Sequence, residues 1–174
     1  MTEVNAYNIV KRIPSLKDRV LTFFGVIDNV RSVLANCGII RDVCNHGVLI
    51  EYIEGHTLEQ CYSTLEHEVL EEMHDELYET LGMLHTEALI AHGDPYSNNI
   101  MVWEGGRKFK LIDFSHPIFK QDVDELRWEM EMIKDRETLQ FVFEQPRGAT
   151  VSQRYSSWQN SPSSSVEQGF VGYS

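Results

Sequence analysis

The chain has 174 residues, 42% of them hydrophobic, with 15 basic against 27 acidic side chains and a net charge of −12. That length can bury the core of one domain or a little more. The acidic balance argues against holding nucleic acid or an anionic membrane by general electrostatics, although a local basic patch could still bind phosphate. No apolar run approaches the ~20 residues needed to span a bilayer. Cys37, Cys44 and Cys61 make an odd set without CxxC spacing, which favours reduced, buried thiols over a zinc site or a disulfide framework. The N-terminus lacks the basic-then-apolar layout of a signal peptide. Together these features predict a soluble protein of the cytoplasm or nucleus.

In chain order, Val4, Tyr7 and Val10 at threefold spacing predict a short amphipathic helix over residues 2–12, ended by Pro14. Residues 20–27 are rich in β-branched and aromatic side chains and predict a strand. Residues 28–45 are ambiguous, either an insertion or a loose connection. Residues 47–53 predict a second strand, paired antiparallel with the first, and Glu54-Gly55 breaks it. A helical stretch follows, and Ser63 with Glu66 has the spacing of a capping box. From His67 to Thr86, the residues Leu70, Met73, Leu77, Leu81, Leu84 and Ala88 fall on one helical face, opposite a solvated acidic face. Residues 99–103 and 108–112 predict a hairpin turned at Glu104-Gly105-Gly106, with Phe109 and Leu111 inward and Lys108 and Lys110 outward. A last helix is expected over residues 122–143, with Val123, Leu126, Met130 and Ile133 inward and acids in its first turn. From residue 145 onward, eight serines and two prolines without periodicity predict a disordered tail, in which Trp158, Phe170 and Tyr173 are either stray aromatics, the commoner case, or anchors to the domain or a partner. The expected organisation is one domain over 1–144 and a tail over 145–174.

The chemical signal is concentrated in His92-Gly93-Asp94, Asn99 and Leu111-Ile112-Asp113-Phe114. Two carboxylates and a carboxamide, placed at the ends of a loop and of the hairpin after it, are hard oxygen donors. They suit magnesium and nucleotide phosphates, with one acid left to take a proton. His92 reads as a brace for the loop rather than an acid or base. His67, His74 and His85 read as structural, and His116 as loop packing.

These residues resemble the catalytic core of the protein-kinase-like superfamily. The interval from Asp94 to Asn99 matches the kinase HxDxxxxN loop, and Asp113-Phe114-Ser115 sits where Asp-Phe-Gly belongs. The order of long helix, loop, Gly-turned hairpin and strand-end Asp agrees as well. Gly93 and the Ile-Asp-Phe-Ser spelling resemble the aminoglycoside and choline phosphotransferase branch and related fungal kinase-like proteins. The resemblance covers residues 3–143. It implies an α+β kinase-like fold with a truncated N-terminal lobe (residues 1–53) and a reduced helical C-terminal lobe (54–144). It implies Asp94 as catalytic base, and Asn99 and Asp113 as metal ligands. It makes Leu49 to Gly55 a hinge, with Ile50, the Glu51 carbonyl and the Ile53 N–H around adenine. Glu3 takes the place of the glutamate that pairs with the ATP-binding lysine, and Phe114 and His92 support the site. The implied cofactors are ATP and Mg²⁺, and the implied second substrate is a hydroxyl of a protein or small molecule.

The sequence also departs from the pattern. No glycine-rich loop precedes the hinge, and the strand that should bear the phosphate-clamping lysine is not found before Glu3. Tyr96 stands where Lys or His usually faces the γ-phosphate, and it brings no positive charge. Three readings follow: an ATP-dependent phosphotransferase lacking its N-terminal strands in this sequence, a pseudokinase-like binding module without phosphotransfer, or a truncated and marginally stable product.

Overall fold

Leu70, Met73, Leu77, Leu81, Leu84 and Ala88 are all buried along one side of the long helical rod, as their spacing dictates. Burying each large apolar side chain on such a stripe contributes roughly 1.5–3 kcal/mol. A computed structural model of the chain describes residues 2–28, 30 and 46–144. Its elements are α1 (Thr2–Val10), β1 (Phe23–Asp28), β2 (His46–Ile50), β3 (His56–Thr57), α2 (Leu58–Cys61), α3 (His67–Met83), β4 (Ile90–Ala91), β5 (Ile100–Trp103), β6 (Lys108–Leu111), β7 (Ile118–Phe119) and α4 (Glu125–Phe143). A π turn, Leu84–Ala88, extends α3, and Leu89 in the left-handed region (φ 56) turns the chain into β4. Of the expected 28–45 connection, residues 29 and 31–45 lie outside the described residues, as do Cys37, Cys44 and the tail aromatics.

The described residues form three small antiparallel sheets: β1 with β2, β3 with β5 and β6, and β4 with β7. The first is the expected pair, with Phe23 opposite Ile50 and Asp28 opposite His46. The hairpin β5–β6 also forms as expected, with Ile100 opposite Leu111 and Trp103 opposite Lys108. Residues 19–21 run beside β6: the Leu111 N–H donates to the Arg19 carbonyl at 3.0 Å, and the Leu21 N–H to the Leu111 carbonyl at 3.1 Å. These bonds stitch the front of the chain to the hairpin. One apolar cluster therefore contains Tyr7 of α1, Phe23 of β1, the α3 stripe, Ile100, Leu111, Phe114 and Leu139 of α4. Among the described residues no helix is long and apolar enough to cross a membrane.

Three expectations are corrected. Glu66 is the N-cap of α3 but makes no side-chain cap bond. The capping box lies at Thr57, whose N–H donates to Gln60 Oε1 at 3.0 Å. Helix α4 is turned away from its expected orientation: Leu126, Met130 and Ile133 are 70%, 51% and 53% exposed, while Trp128, Asp135, Leu139 and Val142 face inward. The reason is Asp135, whose donors await it inside the fold and hold that face inward. Lys110 is not on a solvated face but is 7% exposed, because it has a carboxylate partner.

Candidate active site

Strand β4 is fully buried and delivers His92 to the interior. The His92 ring donates from Nε2 to the Ile112 carbonyl at 3.0 Å. Its Nδ1 accepts the Asp94 backbone N–H at 3.3 Å. Only a neutral imidazole can do both at once. Burial pushes the His92 pKa below its usual 6.5, against the opposing pull of Asp135, the Ile112 backbone, Asp94 and Asp113. His92 is a brace, and its ring lies 4.8 Å from that of Phe114.

Gly93 follows at φ +82, and a Cβ built there would sit 2.0 Å from the His116 carbonyl oxygen. The loop and the segment after Asp113 thus approach so closely that only glycine fits. The Asn99 side chain, 3% exposed as a residue, donates from Nδ2 to the Asp94 carbonyl at 2.8 Å and to Asp94 Oδ2 at 2.9 Å. Its Oδ1 accepts Asn98 Nδ2 at 3.1 Å. The Ile112 N–H donates to the Asn99 carbonyl at 2.9 Å. Asp94, Asn99 and the residue before Asp113 are therefore registered on one another.

Asp113 itself adopts φ 64, a region few non-glycine residues occupy. Its Oδ1 accepts the Ser115 N–H at 3.0 Å, the local bond that lets an aspartate hold such a turn. Phe114 is fully buried and meets Tyr7 edge-on at 5.2 Å, and Tyr7 stacks on Phe23 at 5.5 Å. Burial and the Glu3 charge push the Tyr7 hydroxyl up to about 12. Burial first, then the Asp113 charge, raises the Glu3 pKa above its usual 4.5. Glu3 therefore lies within reach of Asp113, with no lysine or arginine paired to it among the described residues.

On the connecting segment, the roles separate. Ile50 ends β2 and is 41% exposed. Ile53 packs against the core. The Glu51 side chain does something else: Oε2 accepts Lys110 Nζ at 2.7 Å and the Thr22 N–H at 3.1 Å. The Glu51 N–H in turn donates to the Thr22 carbonyl at 2.9 Å. Burial would raise the Glu51 pKa, but the hydrogen bonds from Lys110 and Thr22 outweigh it and hold the carboxyl below its usual 4.5. At the hairpin turn, Lys108 pairs with Glu104 at 2.7 Å in solvent.

The donor set of two carboxylates and one carboxamide fits a hard cation that keeps water and phosphate oxygens in its shell. Among the described residues no group of three or more His, Cys, Asp or Glu side chains could hold a metal by itself.

The profile of the RIO domain matches residues 24–155, well over half of the chain. The chain belongs to the RIO domain family. RIO domains are an atypical protein-kinase-like family, so the superfamily resemblance stands, whereas the aminoglycoside and choline branch gains no support. The mixed α/β architecture with small sheets and helices is consistent with such a domain. No curated protein matches the chain.

The sequence reading of this RIO domain missed Asp135. Its Oδ2 accepts His85 Nε2 at 2.8 Å and the His92 N–H at 2.7 Å, and its Oδ1 accepts the Gly93 N–H at 2.9 Å. The available signal was the second stripe of α4, in which Trp128, Leu139 and Val142 share a face with one acid. Lys110 and Tyr7 were also missed, because alternation and threefold spacing describe burial but not partners.

Proposed function

We propose that this RIO domain binds a nucleoside triphosphate with magnesium and transfers the terminal phosphate to a hydroxyl group. The observation that carries the reading is the mutual registration of Asp94, Asn99 and the Ile112-Asp113 strand end through four hydrogen bonds of 2.8–3.0 Å. RIO domains generally bind ATP and Mg²⁺. A divalent cation, when bound, neutralises charge on the phosphates. Asn99 Oδ1 and the Asp113 carboxylate would hold it. Asp94, kept in place by the Asn99 amide, orients the acceptor hydroxyl and takes its proton. The neutral His92 ring keeps the backbone of both segments fixed, so little reorganisation is left for the moment of transfer. The Glu51 carbonyl and the Ile53 N–H would meet the adenine edge.

A non-catalytic binding module is the second reading. Its specific support is that Glu3 has no lysine or arginine paired to it among the described residues, and that the buried Lys110 is committed to Glu51. A thermal-shift titration with Mg-ATP on wild type and Asp113→Asn, followed by a phosphate-release assay with Asp94→Asn, separates the readings. Stabilisation lost in Asp113→Asn, with turnover lost in Asp94→Asn, supports the enzyme. Stabilisation without turnover supports the module. No stabilisation by Mg-ATP overturns the enzyme.

A further inference from the structure

Helices α3 and α4, with the turn Tyr62–Thr64, enclose an open groove of about 870 Å³ that shares no residue with the candidate active site. That volume lies within the ~300–1,000 Å³ of ligand-sized clefts. Its floor is aromatic. Phe143 stands edge-on to Tyr62 at 6.4 Å and to His74 at 5.3 Å, and Tyr62 Oη donates to the Phe143 carbonyl at 2.8 Å. Its rim is acidic, formed by Glu71, Asp75 and Glu144. Glu71 and Asp75 pair with histidines, His67 at 3.5 Å and His74 at 3.0 Å, rather than with lysine or arginine.

We propose that this groove is the docking site for the chain's own residues 147–158. Four observations favour that occupant. Phe143 and Glu144, which line the groove, immediately precede the segment. Residues 145–174 carry Arg147 and Arg154 against the single acid Glu167, a net +1 in a chain of net −12. Tyr155 and Trp158 supply flat rings for an aromatic floor. The RIO domain match continues to residue 155, past the end of α4.

Reach is sufficient. Ten extended residues from Glu144 to Arg154 span up to about 33–36 Å. The groove wall from His67 to Tyr78 is about 16 Å of helix. Arg147 also falls just beyond the C-terminus of α4, where the helix dipole favours a cation. Because the segment is tethered, even weak contacts are occupied at high effective concentration.

The test uses the full chain with Trp158→p-benzoylphenylalanine, irradiated and mapped by mass spectrometry. Docking predicts cross-links within one chain to residues 62–78 and 140–144. Arg147→Glu with Arg154→Glu should lower their yield about five-fold, as two partly exposed ion pairs allow. Adding Glu71→Arg and Asp75→Arg should restore it. Cross-links to the exposed Leu126, Met130 and Ile133 side of α4 overturn the proposal. So do cross-links found only between two copies, a yield unmoved by charge reversal, or a yield no greater than in unfolding urea.

Discussion

The Asp135 carboxylate accepts the His92 backbone N–H at 2.7 Å, so the start of the Asp94 loop hangs from the middle of the last helix. The same side chain takes the Gly93 N–H and the buried His85 ring. A carboxylate so deep in the fold is tolerable only because each oxygen is satisfied.

Asp135→Ala strands two backbone N–H groups and one imidazole inside the protein. Breaking a buried network of this kind costs about 3–5 kcal/mol. For a chain of this size the melting temperature should fall by roughly 6–15 °C. Scanning calorimetry checks the figure, and a melting point within a degree of wild type would show that the loop is held by something else.

Gly93→Ala and Gly105→Ala form a matched pair. Both glycines have positive φ, +82 and +68, but a Cβ at Gly105 meets nothing within 4 Å, whereas at Gly93 it strikes the His116 carbonyl. The conformational cost alone is about 1 kcal/mol at either site. Gly93→Ala should therefore destabilise by clearly more than Gly105→Ala in chemical denaturation. Equal losses would mean that the close approach relaxes freely.

Stability should decline as the solution is acidified below about pH 6.5, and His92 supplies part of that decline. Its folded pKa lies below the 6.5 of the free side chain. The unfolded chain thus takes up a proton that the folded chain refuses, and stability is full above 6.5 and lost below it. Urea midpoints from pH 5 to 8 should show a shallower slope for His92→Gln, whose amide does not titrate. An identical slope would remove His92 from the account.

Lys110→Met leaves Glu51 with its Thr22 donors alone. Since the Glu51 side chain is 31% exposed, the loss should be about 1–2 kcal/mol, below that of a wholly buried pair. Adding Glu51→Gln should recover part of it. A double mutant that loses the full sum of the two single losses would show that the two side chains do not act on each other.

The chain's legibility divides by the kind of force involved. Apolar periodicity placed α3, its π-turn extension and the six buried apolar residues along them, because a stripe of that regularity has one way to hide from water. Turn chemistry located the β5–β6 hairpin at Glu104-Gly105-Gly106. The motif spacing brought Asp94 and Asn99 into contact. Periodicity failed on α4, where Leu126, Met130 and Ile133 make the better apolar stripe but Asp135 has the partners. It failed again at Lys110, since alternation cannot reveal a carboxylate 59 residues away along the chain. Buried polar contacts are set by tertiary geometry, and no local pattern announces them.

The triangle of Thr22, Glu51 and Lys110 bears on motion. It fastens the entry to β1, the exit from β2 and the body of the hairpin to one carboxylate, beside the backbone bonds from Leu111 to residues 19 and 21. A swing of β1 and β2 as a rigid flap would have to break all of these together. Flexing of the pair is thereby confined to the strands beyond the pin, away from the hairpin that carries Lys110 and Leu111.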